Sequence, residues 1–267
     1  MRCALETDRA AAPGGAADTK TVLVTGAAKR LGRAIALTLA GGGWNVALHY
    51  FGSRTEARRT VGEIEALGVC CAAFGANFAR EEETASLVPR AVQELGPLTA
   101  LVNSASLFES DDWRSASRKS WDAHLEINLR APFLLSQHFA NQLPKATKGV
   151  IINIVDQRVL KPTPQFLSYS LSKAGLYWLT TTLAQALGPH IRVNAVGPGP
   201  TLRNARQSRA DFARQREATI LKRGTEPKDV AQAVRYLLEA EAVTGQMLAV
   251  DGGQHLIWQT PDVQVSE

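Results

Sequence analysis

Thr21-Val22-Leu23-Val24-Thr25-Gly26-Ala27-Ala28-Lys29-Arg30-Leu31-Gly32 decides how this chain is read. Four strand-forming residues run into a turn that carries two glycines, and a helical pattern over 31–40 follows. A strand that passes into a helix in this way presents backbone N–H groups at a helix N-terminus, where partial positive charge favours an anion such as a pyrophosphate. Gly26 permits the tight turn and Gly32 permits close helix packing. A glycine pair alone is weak evidence, but the strand before it and the helix after it supply the context a dinucleotide-binding turn needs.

The same alternation continues along the chain. Apolar runs at 21–24, 46–50, 69–74, 98–102, 150–155, 191–196 and 247–250 are separated by helix-length segments at 31–40, 54–67, 81–95, 117–142, 168–187 and 227–239. The expected fold is one α/β domain over 20–256: a Rossmann-like, doubly wound parallel sheet of about seven strands with helices on both faces. Ile151-Ile152-Asn153-Ile154-Val155 suits a central strand buried on both sides. The stretch 200–222 breaks the rhythm. It is polar, carries Arg203, Arg206, Arg209, Arg214 and Arg216, and is expected to be an irregular substrate lid. Residues 1–19, with Pro13-Gly14-Gly15, are expected to form a disordered arm without the apolar core of a signal peptide, and 257–267 a C-terminal tail.

The hydrophobic fraction of 45% excludes disorder of the whole chain. The net charge of +5 comes from scattered Lys and Arg, which argues for a pocket that takes anionic ligands and against a nucleic-acid partner. No apolar stretch reaches the roughly 18 residues of a membrane span. Cys3, Cys70 and Cys71 have no metal-ligand spacing, so no metal is expected. Cys70 and Cys71 read as small strand residues, which fits a reducing, cytoplasmic setting.

The second strand ends at His49-Tyr50-Phe51-Gly52-Ser53-Arg54, with no acidic residue to hold ribose hydroxyls. Ser53 and Arg54 instead suit a 2′-phosphate, with Arg30 adding charge from the glycine turn, so the expected cofactor is NADPH. Tyr169 and Lys173 stand four apart in a helical segment and therefore share a face. An ammonium beside a phenol lowers the phenol's pKa towards proton exchange near neutrality.

Together with Asn103-Ser104-Ala105, Asn128, Gly197-Pro198-Gly199, Val243-Thr244-Gly245 and Asp251-Gly252-Gly253, these motifs resemble the short-chain dehydrogenase/reductase family over about residues 20–256. The resemblance implies an acid/base role for Tyr169. It implies that Lys173 binds the nicotinamide ribose, that Asn128 holds a water on a proton path, and that Asn103 and Ala105 line the adenosine ribose side. Further cofactor contacts are expected at Lys29, Leu31, Asn77, Ser104, Pro198 and Gly199, and the assembly is expected to be a homotetramer.

Two positions depart from the family pattern. Arg30 replaces the middle glycine of the turn, and Asp156 stands where the family has its catalytic Ser. Both resemble the pteridine reductases, including dihydromonapterin reductases, as does His49-Tyr50 followed by Ser53. Phe108 matches the aromatic residue on which those enzymes stack a pterin, and Arg30, Ser106 and Gly199 complete the implied substrate set. The resemblance implies reduction of a dihydropterin, such as dihydromonapterin or dihydrobiopterin, to its tetrahydro form. A Ser hydroxyl suits a carbonyl oxygen, whereas a carboxyl group at 156 can relay a proton towards a ring nitrogen or orient a water. A carbonyl reductase acting on acyl thioesters or sugar ketones, and a catalytically silent NADP-binding protein, remain the alternatives. Asp156 argues against the first, and the intact Tyr169/Lys173 pair against the second.

Overall fold

The computed structural model describes residues 20–260 and 263–264; the expected arm over 1–19 and part of the tail lie outside the described residues. The elements follow in the order β1 (Thr21–Val24), α1 (Arg30–Ala40), β2 (Asn45–Tyr50), α2 (Arg54–Glu65), β3 (Cys71–Gly75), α3 (Glu81–Leu95), β4 (Ala100–Asn103), α4 (Arg118–Leu125), α5 (Ala131–Gln142), β5 (Gly149–Ile154), α6 (Leu167–Leu187), β6 (Ile191–Pro198), α7 (Arg209–Glu217), α8 (Pro227–Glu239) and β7 (Met247–Val250). The sheet is seven-stranded and parallel throughout, in the order β3-β2-β1-β4-β5-β6-β7.

The period-two alternation of strand side chains divides the core. In β1, Val22 and Val24 pack with Ile35, Leu39 and Val234 of α1 and α8 on one face. Leu23 turns to the other face and joins Leu87, Phe139 and Ala184 of α3, α5 and α6. Helices thus cover both faces, which is why the strands are near-continuous apolar runs. Cys71 is buried in β3, where burial above all pushes its thiol up to about 12. Among the described residues no helix is long and apolar enough to cross a membrane.

Two elements differ from the expectation. The single helix expected over 117–142 is interrupted by a π turn at Glu126–Arg130 between α4 and α5. Pro132 follows it at the start of α5; it has no N–H to donate, and the Ala131 N–H reaches back to the Glu126 carbonyl. The second difference is α7, a nine-residue helix inside the stretch expected to be irregular. No residue of α7 is buried, so it has no apolar stripe to betray it. Its start is held locally by Ser208, whose Oγ accepts from the Asp211 N–H at 3.0 Å.

Candidate active site

The order of the sheet reverses at β1, which lies between β2 and β4. Ligands of doubly wound sheets bind outside the carboxyl ends of the strands at such a point. Here a cavity of about 1290 Å³ runs from Gly26 and Gly32, past Ser104, Ala105 and Ser106, to Asp156, Tyr169, Lys173, Pro198 and Gly199.

The glycine turn is tightly fitted. Gly26 has φ +65°, and a Cβ there would lie 2.9 Å from the Ala105 Cα. A Cβ on Gly32 would lie 2.3 Å from the Gly26 carbonyl oxygen. Thr25 Oγ1 accepts from the Ser104 and Ala105 N–H groups at 2.9 Å each, which ties the turn to the loop after β4. Lys29 and Leu31 also line the cavity. Arg30, in the middle-glycine place, adopts φ 54°, a left-handed conformation a glycine would hold without strain. Its guanidinium donates to the carbonyls of Arg203 (3.2 Å) and Leu202 (3.4 Å), so it braces the segment after β6.

His49 lines the cavity and is buried, where it acts as a strut beneath the glycine turn. Its Nδ1 accepts from the Gly26 N–H at 3.1 Å, so the proton sits on Nε2, which donates to the Ala76 carbonyl at 3.0 Å. The ring stacks on Phe78 at 4.2 Å. Burial above all, with the charge of Arg90 adding and the Ala76 carbonyl opposing, lowers its pKa from 6.5 to about 4. Above pH 6.5 the imidazole is neutral whether the chain is folded or not, and the strut is fully present. As pH falls from 6.5 towards 4, only the unfolded chain takes up the proton, so stability is lost across that window. The loss reaches about 3 kcal/mol. Urea unfolding at pH 7 and pH 4.5 measures it, and His49→Gln, which cannot titrate, should lose less on acidification.

Tyr50, Ser53 and Arg54 are not among the residues lining the cavity. Tyr50 packs its ring over Gly75, where a Cβ would meet it at 3.4 Å. Ser53 is buried at the start of α2, and Arg54 is exposed beside it. Lys29, Phe51 and Asn77 line that end of the cavity instead. Asn77 Oδ1 accepts from the Ala79 N–H at 3.0 Å.

Asn103 and Asn128 also stand outside the cavity wall. Asn103 is buried at the end of β4 and donates to Asn153 Oδ1 at 2.9 Å; Asn153 in turn donates to Thr180 Oγ1 at 3.0 Å, a bridge from sheet to α6. The Asn128 side chain, expected to hold a water, is fully engaged. Oδ1 accepts from the Leu107 N–H (2.8 Å) and Ser106 Oγ (3.2 Å), and Nδ2 donates to the Leu107 carbonyl (2.9 Å) and Ser172 Oγ (3.0 Å). Asn128 therefore clamps the loop that carries Phe108 onto α6.

The Tyr169 hydroxyl donates to Asp156 Oδ2 at 2.8 Å. The other carboxyl oxygen, Oδ1, accepts from the Arg158 N–H at 2.9 Å and caps the turn Gln157–Val159. Lys173 Nζ donates to the Ile154 carbonyl at 2.8 Å and lies 5.9 Å from the centre of the Tyr169 ring. Burial raises the pKa of Asp156, against opposing hydrogen bonds from Arg158 and Tyr169 and the charges of Arg158 and Lys173. Burial, and then the Asp156 carboxylate, hold the Tyr169 phenol well above its ordinary range. Burial lowers Lys173 to about 8, with Asp156 opposing. The expectation that Lys173 lowers the phenol is thus corrected: the carboxyl group in direct contact and the loss of solvent outweigh a more distant ammonium. The pair as a whole keeps a proton at neutral pH.

Beside this pair the wall is aromatic. Phe108 stacks on Phe166 at 4.6 Å and 18°, and meets Tyr169 edge-on at 4.6 Å. Arg206 lies over Phe108 at 5.5 Å, donates to its carbonyl at 2.7 Å, and pairs with Glu109 at 2.6 Å. The segment after β6 is thereby fastened across the cavity mouth. Arg203 and Arg216 turn to the carbonyls of Gln207 and Thr225, and Arg214 pairs with Asp211.

Sequence reading missed Phe166, which begins α6 with φ 59° and lines the cavity, and it missed the network behind Tyr169. There Ser168 Oγ donates to Asp111, His124 Nδ1 donates to Ser168 Oγ at 2.7 Å, and His124 Nε2 accepts from the Glu109 N–H at 3.1 Å.

The family model described as enoyl-(acyl carrier protein) reductase matches residues 26–255. The 3-oxoacyl-(acyl-carrier-protein) reductase FabG of Staphylococcus epidermidis is 34% identical over 242 residues, which cover 89% of this chain and 99% of that one. Among solved structures, the FolM alternative dihydrofolate reductase 1 of Brucella suis, in complex with NADP, is 44% identical with a TM-score of 0.88, over 91% of this chain and 98% of that one. The Brucella canis counterpart, also complexed with NADP, is 43% identical with a TM-score of 0.88, over 91% and 97%.

Proposed function

The chain belongs to the short-chain dehydrogenase/reductase family, and from that premise we propose that it reduces a dihydropterin to the tetrahydropterin with NADPH. One observation carries the reading: a half-buried carboxyl group on the cavity wall, Asp156, accepts from the hydroxyl of the acid/base Tyr169. The likeness to the two FolM alternative dihydrofolate reductases supports it.

NADPH fits the residues present. The cavity exceeds the roughly 300–1,000 Å³ of an ordinary small-molecule site, which leaves room for a dinucleotide and a bicyclic ring. A side chain at Gly26 would collide with the Ala105 backbone and one at Gly32 with the Gly26 carbonyl, so both glycines are needed for the tight turn that a pyrophosphate would use. The absence of any acidic residue between His49 and Arg54, with Lys29 on the wall, favours the 2′-phosphate over a free ribose. Lys29, Ser104, Ala105, Lys173, Pro198 and Gly199 would hold the cofactor, which when bound supplies a hydride. Tyr169 and Asp156 hold the proton destined for the ring nitrogen. Lys173, fixed on the Ile154 carbonyl, keeps a positive charge near that proton at neutral pH. Phe108 and Phe166 offer a flat wall for the heterocycle, and the Arg206–Glu109 contact fastens the segment after β6 to the loop that carries Phe108.

A second reading, a ketoreductase, is favoured by the FabG relative. NADPH consumption measured against dihydrobiopterin, dihydromonapterin, a 3-oxoacyl thioester and a reactive diketone separates the two. We expect pterin turnover, with NADPH preferred over NADH by about tenfold or more, the scale of a lost charged hydrogen bond. Good turnover of the thioester with all pterins ignored would select the second reading.

A further inference from the structure

Gln157 opens the short turn that Asp156 caps, and it lines the cavity beside that residue. It is 6% exposed, and its side-chain Oε1 is buried without a hydrogen-bond partner. Its backbone is provided for, since its carbonyl accepts from the Leu160 N–H at 2.9 Å and the Lys161 N–H at 3.3 Å. Asp156 and Asn128 have no such vacancy: both Asp156 oxygens and both ends of the Asn128 amide are engaged. A buried amide oxygen left unpaired is costly, and the cost is recovered where a ligand supplies the missing donor.

The aromatic wall of Phe108 and Phe166 can stack a planar ring, but a stack does not fix how the ring is turned in its own plane. A carboxamide offers one acceptor and two donors side by side, the complement of a cyclic amide or amidine edge. We propose, resting on the pterin reading, that Gln157 is a specificity-determining residue that pairs in plane with the amino-pyrimidinone edge of the substrate. Oε1 accepts from a ring N–H or the exocyclic amino group, and the side-chain N–H groups donate to the adjoining oxygen or ring nitrogen. The pairing fixes the face and direction in which the ring meets the Asp156–Tyr169 proton.

The test compares wild type with Gln157→Leu and Gln157→Glu. In Gln157→Leu, KM for dihydrobiopterin should rise about tenfold, as for loss of one well-made hydrogen bond. Kd for NADPH should not move. The melting temperature should hold or rise, because an unpaired buried polar group has been removed; a merely structural glutamine would lower it. Gln157→Glu keeps an acceptor and loses the donors. It should therefore bind a 2,4-diaminopteridine better, relative to a 2-amino-4-oxo pterin, than wild type does. Unchanged pterin KM in Gln157→Leu, in a wild type that reduces pterins, removes Gln157 from recognition and leaves the pterin reading intact. A parallel rise in NADPH Kd assigns the amide to the cofactor and likewise overturns the proposal. A wild type inert on every pterin overturns the reading itself, and the assignment of Gln157 with it.

Discussion

Tyr169→Phe should lower pterin turnover by about 10²-fold or more, the scale of a lost general acid, while NADPH binding stays nearly unchanged. The phenol oxygen donates to Asp156, and it is held protonated by burial and by that carboxyl group. Removing it takes away the group that delivers the proton and leaves Asp156 Oδ2 without its donor. A stability loss of about 1–3 kcal/mol should follow, so rates must be compared on protein shown to be folded at the assay temperature. Single-turnover kinetics with saturating NADPH give the rate, and fluorescence titration gives the affinity. Near-normal turnover would place the acid elsewhere in the cavity.

Asp156→Asn should abolish most dihydropterin turnover, again with NADPH affinity nearly unchanged, because it keeps size and polarity but carries no transferable proton. In the wild-type pair, burial raises the carboxyl pKa and the carboxylate raises the phenol further. The two groups titrate together, and turnover should fall as pH rises through the upper of their apparent values. In Asp156→Asn the repulsion of the carboxylate is gone, so the phenol's pKa drops towards its ordinary value. The alkaline limb of the residual rate should therefore move to lower pH. Asp156→Ser should lose pterin activity likewise and gain slight reduction of an activated ketone. NADPH consumption across pH on dihydrobiopterin and a diketone measures both variants. Full pterin activity in Asp156→Asn would remove the carboxyl group from the mechanism.

The fold was legible because its signals are local and redundant. Val22 and Val24 on one face and Leu23 on the other give an unbroken apolar run only if both faces are buried, and the glycines that follow mark the first turn. The helix α7 left no trace because a helix with no fully buried residue needs no apolar period, only the cap at Ser208. Within the site, Tyr169 and Lys173 could be named from their spacing on one helix face, and Asp156 from the family resemblance, in which it takes the place of the catalytic Ser. The partners of Asn128 and Ser168 lie 21 to 57 positions away, so no spacing rule reaches them. Motif reading put Asn128 and Asn103 in the right neighbourhood but not with their actual partners. Ser53 and Arg54 are not among the residues that line the cavity at that end, where Lys29, Phe51 and Asn77 are.

The position of β1 between β2 and β4 also governs how the protein is born. Translation delivers β2 soon after β1, and Val22 can pair with Val46 at once. The opposite border of β1 waits for Ala100–Val102, and meanwhile α2, β3 and α3 must leave the ribosome. At about 5–20 residues per second, the nascent chain carries a raw apolar strand border for seconds, the feature that invites mispairing between neighbouring chains on a polysome. Only when Asn103 has cleared the exit tunnel can the centre of the sheet close.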